Sequence, residues 1–238
     1  MLSKIFLISL IFIILIIVNK YIFENISTKS LKCNKKIIGY EFFKNSSEKN
    51  NKNDSLKLLY NFQNRIYFNE YNYSLKDISN NNNDLYFNEM PIINNNGLNL
   101  NNRTTGVSNS SNKIGIFGSG PFTIIWSGNS KKNSFGKIFE FSVKDQNNFF
   151  ISEDCKEFII SHGGEFKKIN KNLLNKDDFY ALICDQYHLK FYNGSKLMGI
   201  WKSNYVKLNS DSFKLNPDKT LNYNMKHFII YNKQNKYS

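Results

Sequence analysis

Short runs of β-branched and aromatic residues recur about every ten residues from residue 113 onward, separated by clusters of Asn, Gly, Ser or Asp. This spacing is typical of an all-β protein, because each run suits one strand and each polar cluster one turn. We therefore predict an antiparallel β-sandwich, jelly-roll-like, with Asn-rich loops. The predicted strands are Phe122–Trp126, Ile138–Val143, Phe149–Ser152, Glu157–Ser161, Phe179–Cys184, Leu189–Tyr192, Leu197–Trp201, Asp211–Leu215 and His227–Tyr231.

Two shorter patterns complete this part of the chain. The triplet Asn193–Ser195 lies between two predicted strands and favours a tight hairpin. No run has helical periodicity, and Lys167–Asn175 offers a single helical turn at most.

The N-terminus, residues 1–24, contains one long apolar segment, which predicts an apolar helix. Lys4 precedes Ile5–Val18, which is apolar apart from Ser9, and Lys20 follows it. The run is shorter than the ~20 residues that span a bilayer, and it is typical of the core of a signal peptide. An uncleaved signal anchor is the alternative, since no small-residue cleavage site stands out. Either interpretation places the rest of the chain in the secretory pathway, as an extracellular or vacuolar protein or as a lumenal domain on a membrane anchor.

Residues 25–112 form an Asn-rich region in which we predict a few strands and partial disorder. Leu56–Leu75 combines aromatic residues with alternation and predicts one or two strands. Asn94–Asn112 is of low complexity and predicts a disordered or looping insertion. The predicted organisation is therefore a leader or anchor, this Asn-rich region, and a β-sandwich domain over residues 113–238.

A glycine-rich stretch, KIGIFGSGPFTIIWSGN at Lys113–Asn129, has some features of a nucleotide-binding turn. The dinucleotide fingerprint is G-x-G-x-x-G at the start of a helix. Here Gly115, Gly118 and Gly120 follow the order G-x-x-G-x-G, and Phe122–Trp126 predicts a strand. We therefore expect a flexible turn that leads into the sheet, and no cofactor.

The chain is strongly basic, with 32 Lys and Arg against 19 Asp and Glu and a formal net charge of +13. Such a charge attracts anionic partners such as sulfated glycans, phospholipid headgroups or nucleic acid. Asn, Lys, Ile, Phe and Tyr also all have AT-rich codons, which explains the lysines through composition alone. Because no compact basic run is interleaved with aromatics, we favour composition and expect no nucleic-acid partner.

Three cysteines are present: Cys33, Cys155 and Cys184. In an oxidising compartment Cys155 and Cys184 are a candidate disulfide, which leaves Cys33 unpaired. Two buried free thiols on neighbouring strands are the alternative. None of the three has the spacing of a zinc site.

Candidate ligand-binding residues are few. Trp126 and Trp201 are the only tryptophans, and exposed aromatics stack on sugar rings, although large aromatics more often fill the core of a small sandwich. His162, close to a Gly-Gly turn, is the third candidate. We name Trp126, His162 and Trp201 as ligand-binding candidates and expect no catalytic set.

The histidines and the paired carboxylates are the residues that enzymatic or metal chemistry would use. His162, His188 and His227 lie in or beside predicted strands, and one of them could act beside Cys184 or a carboxylate. The pairs Glu153-Asp154 and Asp177-Asp178 lack calcium-loop spacing, so we interpret them as solvated loop charges and expect no metal site.

Part of the chain resembles a known family. FEFSVKDQNNFFISEDCKEFIISHGGEFKKI (Phe139–Ile169), FYALICDQYHLKFYNGSKLMGIW and LNYNMKHFIIYN resemble the farnesoic acid O-methyltransferase-like domain, over about residues 135–232. The resemblance implies an extracellular β-sandwich recognition module. The family name also suggests a methyltransferase, but the chain offers no plausible S-adenosylmethionine site.

The favoured function is a secreted or membrane-tethered β-sandwich that binds a glycan or a protein partner at a cell surface, through loops at one end of the sandwich. The alternative is an enzyme, either methyltransferase-like or a hydrolase with a strand-borne histidine. It predicts a pocket in which one of the histidines reaches Cys184 or a carboxylate.

Overall fold

The structure is a computed structural model that describes residues 56–79, 81–108, 121–131, 133–143, 149–162, 164–175, 179–185, 187–202 and 210–231. These ranges contain seventeen strands, two single turns of 3-10 helix and no α-helix. The strands form two antiparallel sheets, so the predicted all-β class is confirmed. No helix within these ranges is both long enough and apolar enough to span a membrane.

Sheet A has eight strands: β1 (Leu56–Asn61), β5 (Ile92–Asn94), β6 (Gly97–Leu100), β8 (Phe122–Ser130), β13 (Tyr180–Cys184), β14 (His188–Asn193), β15 (Lys196–Lys202) and β17 (Tyr223–Tyr231). Their order is β15-β14-β13-β8-β17-β6-β5, with β1 also beside β17. On one side β17 pairs with β8, and on the other it pairs first with β6 and then with β1. The long strand β17 therefore joins the early and late parts of the chain.

Sheet B has nine strands: β2 (Phe68–Asn69), β3 (Ser74–Leu75), β4 (Leu85–Phe87), β7 (Gly106–Ser108), β9 (Gly136–Val143), β10 (Phe149–Glu153), β11 (Glu157–His162), β12 (Glu165–Asn170) and β16 (Ser210–Leu215). Their order is β12-β11-β10-β9-β16-β7-β4-β3-β2. The two 3-10 turns are η1 (Arg65–Tyr67) and η2 (Lys171–Leu173).

Aromatic side chains fill the space between the sheets. Trp126 of β8 meets Phe139 of β9 edge to face, with ring centroids 5.4 Å apart, and Phe158 of β11 meets Tyr180 of β13 at 5.0 Å. Phe139 also packs on Phe228 of β17 at 4.9 Å. Alternation along each strand directs these rings to one face, and their contacts hold the two sheets together.

All nine predicted strands are present, as β8 to β11 and β13 to β17. The predicted hairpin is also present, since Asn193 pairs with Lys196 across a turn in which Gly194 has φ +57°. Residues 165–170, however, form the additional strand β12. The predicted helical turn within Lys167–Asn175 corresponds to η2.

The Asn-rich region contributes seven strands, β1 to β7. Two of them, β6 and β7, lie within Asn94–Asn112, so the prediction of a continuous loop there is wrong over those residues. Leu98 and Leu100 alternate with asparagines and are fully buried, because a period-2 pattern persists within the low-complexity sequence.

The sheets draw strands from both sides of the predicted boundary at residue 113, because β1 pairs with β17 and β7 pairs with β16. Residues 1–24, with the predicted N-terminal helix, lie outside the described residues. So do Cys33 and the three glycines of the turn before β8.

Candidate functional site

The three predicted ligand-binding residues lie on three different strands. Trp126, on β8, is fully buried in the core, so its predicted exposure to a ligand is wrong and the core alternative holds. Trp201, on the edge strand β15, is partly buried and packs against the core. His162 ends β11, where it pairs with Glu165, and its side chain lies outside the described residues.

The candidate disulfide between Cys155 and Cys184 is absent, because both residues are free thiols. Cys184 is buried and pairs with Phe122 at the start of β8, whereas Cys155 is exposed in the turn after β10, close to Ser130 at the end of β8. Nine strand residues separate the two ends of β8 by about 25 Å, and a disulfide needs Cα atoms within about 7 Å. Distance therefore prevents the bond.

Two of the histidines make polar contacts on the strands. His188 Nδ1 lies 3.7 Å from Asp185 Oδ1, three residues earlier in the same hairpin. His227 Nδ1 lies 3.0 Å from Ser127 Oγ, between neighbouring strands of sheet A. Burial, together with the positive charge of Lys226, lowers the pKa of His227 to about 4. The ring is therefore neutral at pH 7.

A cavity of about 410 Å³ opens at one end of the sandwich, between the ends of the two sheets. It lies where β8 ends, beside the β8–β9 loop, the β10–β11 turn and η2. Phe158 and Tyr180, which are part of the aromatic core, form its floor. The remaining lining residues are Asn129, Ser130, Lys131, Asn133, Ser134, Cys155, Lys171, Asn172 and Leu174.

One wall of this cavity contains a buried ion pair. Lys171 Nζ lies 3.0 Å from Glu153 Oε2, and the Glu153 side chain is fully buried. Lys171 also donates to Ser130 Oγ at 3.0 Å and to the carbonyl of Asp154 at 2.9 Å. The three ammonium protons of Lys171 are therefore all used within the protein, which fixes η2 against β8 and β10.

The burial of Glu153 corrects the prediction that Glu153-Asp154 is a pair of solvated loop charges. Glu153 is in phase with Phe149 and Ile151 on β10, so its side chain points between the sheets. Asp154 instead follows the strand, where its Oδ1 accepts the backbone N–H groups of residues 156 and 157. These bonds lower the pKa of Asp154. Asp177 and Asp178 lie outside the described residues.

Polar atoms without a protein partner lie behind the same wall. Within the described residues, Glu153 Oε1 is buried without a hydrogen-bond partner, and Trp126 Nε1 and Tyr223 Oη are buried near each other without a well-formed hydrogen bond. Burial raises the pKa of Tyr223 well above its usual value, and the nearby Tyr180 and Glu153 raise it further. The aromatic core near Tyr180 and Glu153 therefore contains buried polar groups.

At the mouth of the cavity the side chains of Asn133 and Asn172 are exposed. Lys131 donates to Asn99 Oδ1 at 2.9 Å, which leaves two of its protons for other partners. Among the lining residues that the structure describes there is no histidine and no carboxylate. The described residues can therefore hold a polar ligand over an aromatic floor.

Sequence reasoning missed most of this cavity, because its lining residues come from four separate segments, 129–134, 155–158, 171–174 and residue 180. One available signal was the phase of Glu153 within β10, which predicts a buried acid and hence a buried partner. The exposed asparagines carry no signal in a chain so rich in asparagine.

No protein-family model matches the sequence, and no curated protein matches it. Solved structures do match the fold. The botulinum neurotoxin serotype D/C (VPI 5993) binding domain has a TM-score of 0.58 at 15% identity, over 78% of this chain and 50% of that one. A Trypanosoma rangeli sialidase mutant has a TM-score of 0.55 at 10% identity, over 77% of this chain and 31% of that one.

The botulinum neurotoxin type G receptor binding domain gives a similar result, with a TM-score of 0.55 at 13% identity, over 76% of this chain and 49% of that one. The chain thus spans about half of the neurotoxin binding domains and about a third of the sialidase. At these identities the likeness concerns the fold.

Proposed function

We propose that the chain is a secreted or membrane-tethered β-sandwich module that binds a glycan in the cavity at the end of the two sheets. The observation that carries the proposal is the lining of the cavity, in which amide and hydroxyl side chains surround the rings of Phe158 and Tyr180. Sugars present hydroxyl groups at their edges and C–H groups on their faces. Amide and hydroxyl side chains bond the first. Phe158 and Tyr180, which are 1% and 4% exposed, close the cavity beneath the ligand.

The structural neighbours support the same class of ligand. One matching neurotoxin structure is described as depending on two ganglioside molecules for cell entry, and another as a binding domain in complex with SialylT. Three predictions from the sequence remain part of this proposal. They are the jelly-roll-like connection of the strands, the secretory leader within residues 1–24 and the resemblance to the farnesoic acid O-methyltransferase-like domain.

A glycan array probed with the full chain, followed by calorimetry on the glycans it retains, tests the proposal. We expect Asn172→Ala and Asn133→Ala each to weaken binding by about tenfold, which is the loss of one hydrogen bond to a ligand. Asn96→Ala, in the exposed β5–β6 turn, is the matched control and is expected to bind as the unaltered chain does. An array without retained glycans, or equal affinity of all variants, contradicts the proposal.

A protein partner is the second candidate, favoured by an aromatic pair on the outer face of sheet B. Phe166 is 62% exposed, and its ring lies 6.3 Å from that of Phe150, over which Lys137 places its ammonium at 4.9 Å. If Phe166→Ser abolishes capture of a cell-surface protein while Asn172→Ala does not, this face rather than the cavity is the binding site.

A further inference from the structure

The loop between β3 and β4 carries oxygen-bearing side chains at alternate positions: Asp77, Ser79, Asn81 and Asn83, followed by Asp84. This loop, here called the asparagine loop, packs on the first residues of β1. Ser79 Oγ lies 3.1 Å from the carbonyl oxygen of Lys57. The loop and the start of β1 thus share one polar cluster on the rim of the sandwich.

Oxygen atoms converge around the side-chain amide of Asn81. Its Nδ2 lies 2.9 Å from the carbonyl oxygen of Leu56, 3.2 Å from that of Lys57 and 3.4 Å from that of Ser79. A fourth oxygen, the hydroxyl of Ser79, lies at 2.9 Å. An amide nitrogen has two protons, so it satisfies at most two of these four acceptors.

A second, independent observation concerns Asn83, whose side chain belongs to the same cluster. Asn83 is 2% exposed, and its Nδ2 donates to the carbonyl of Lys57 at 3.1 Å. Its Oδ1, bonded to the same carbon atom as Nδ2, is buried and has no hydrogen-bond partner in the described part of the chain. A buried amide oxygen without a partner needs a donor or a cation.

The cluster also contains two aspartates. Asp77 is 1% exposed; its Oδ1 accepts the backbone N–H groups of residues 59 and 79, and its Oδ2 accepts that of Asn83 and, at 2.7 Å, the Ser79 hydroxyl. Asp84 Oδ1 accepts the backbone N–H of Asp77 at 2.9 Å. Among the described residues no lysine or arginine forms an ion pair with either aspartate, although the chain has a net charge of +13.

We propose that the asparagine loop and the start of β1 form a Ca²⁺ site. The oxygen ligands are the carbonyls of Leu56 and Lys57, the Ser79 hydroxyl, the Asp77 carboxylate and the side-chain oxygens of Asn81 and Asn83. The amide of Asn81 turns to present Oδ1 when the ion takes the place of Nδ2.

The ligand chemistry selects the ion. Within the described residues no group of three or more His, Cys, Asp or Glu side chains gathers. Of the proposed ligands only Asp77 is a carboxylate, and the others are neutral carbonyl, hydroxyl and amide oxygens. Ca²⁺ accepts six to eight such oxygens in flexible geometry, whereas Mg²⁺ requires near-ideal octahedral ligands. One carboxylate gives weak binding, with a Kd of about 0.1–1 mM, as in extracellular modules. The ion would tie the asparagine loop to β1.

Calorimetry with CaCl2 on the metal-stripped full chain tests this site. We expect one ion per chain and a Tm raised by about 4 °C at ten times the Kd. Asp77→Asn is expected to remove binding, and Ser79→Ala to weaken it without changing the charge. Asp218→Asn, an exposed aspartate outside the cluster, is the matched control and is expected to bind normally.

Tb³⁺ luminescence gives a second readout, because the Tyr60 hydroxyl donates to the carbonyl of Asn83 and its ring can excite the ion. We expect Tyr60→Phe to lose the luminescence while Ca²⁺ binding persists. The proposal is overturned if the unaltered chain shows neither heat nor a Tm shift with Ca²⁺. Equal affinity for Mg²⁺, or binding by Asp77→Asn and Ser79→Ala as strong as that of the unaltered chain, also overturns it.

Discussion

Lowering the pH is expected to destabilise the sandwich through His227 before most carboxylates titrate. Burial holds the pKa of His227 at about 4, against 6.5 for an exposed imidazole. The unfolded chain therefore binds the proton more tightly than the folded chain. The contribution of His227 to stability is complete above pH 6.5 and is lost as the pH falls towards 4.

The size of this effect follows from the shift of about 2.5 units in pKa, at about 1.4 kcal/mol per unit. The full loss is about 3 kcal/mol at pH 4, and about 2 kcal/mol of it falls between pH 7 and pH 5. Such a loss is a substantial part of the free energy of unfolding of a typical domain.

Urea unfolding of the full chain at pH 7, 6 and 5 measures this loss. Tryptophan fluorescence is a suitable probe, since Trp126 and Trp201, the only two tryptophans, both lie in sheet A. The control is His227→Gln, whose amide can bond Ser127 but does not titrate. Both proteins share the loss from Asp154 and Asp185, whose pKa values are lowered, so the difference between them isolates His227. Parallel pH profiles of the two proteins would refute the reasoning.

Three further predictions concern the cavity wall, a turn and the thiols. Lys171→Met leaves Glu153 charged and buried, so urea unfolding should show a loss of about 3–5 kcal/mol, and Glu153→Gln/Lys171→Met a smaller one. Gly97→Ala should cost more than about 1 kcal/mol in the same assay, because φ is +103° and a Cβ would lie 2.1 Å from a backbone oxygen. In a variant without the third cysteine, Cys155 should react rapidly with a thiol reagent, and Cys184 only after unfolding.

The later strands were predictable because their pattern is local. Each of β8 to β11 and β13 to β17 contains aromatic residues and has a polar boundary, and all but β14 and β16 also contain β-branched residues. The strand β12 was missed because Glu165–Asn170 is mostly exposed at the edge of sheet B and lacks a clear alternation. Pairing with β11 along its whole length defines it instead.

The candidate site was less predictable, because its geometry depends on contacts between segments that are distant in sequence. Ser130, Glu153 and Lys171 meet only once the two sheets pack. The tryptophans were predicted as ligand-binding residues from their chemistry alone, and that chemistry does not determine whether a side chain is exposed. Trp126 is the largest of the fully buried side chains among the described residues, so its ring fills volume between the sheets and no ligand reaches it.

The contacts of the lysines at the cavity show how much the basic composition contributes to ligand binding there. Lys171 is neutralised by Glu153 and has no proton left for a ligand, so it contributes structure rather than attraction. Of the two lysines that line the cavity among the described residues, Lys131 retains protons for a partner. Long-range attraction by the net charge of +13 is screened beyond about 8 Å at physiological salt, whereas contacts inside a cavity are screened far less. The affinity for a glycan in the cavity should therefore depend weakly on salt concentration. The affinity of the dispersed lysines for an anionic surface should fall steeply as the salt concentration rises. Measuring the affinity of the same complex at several salt concentrations therefore distinguishes binding in the cavity from non-specific electrostatic attraction by the dispersed lysines.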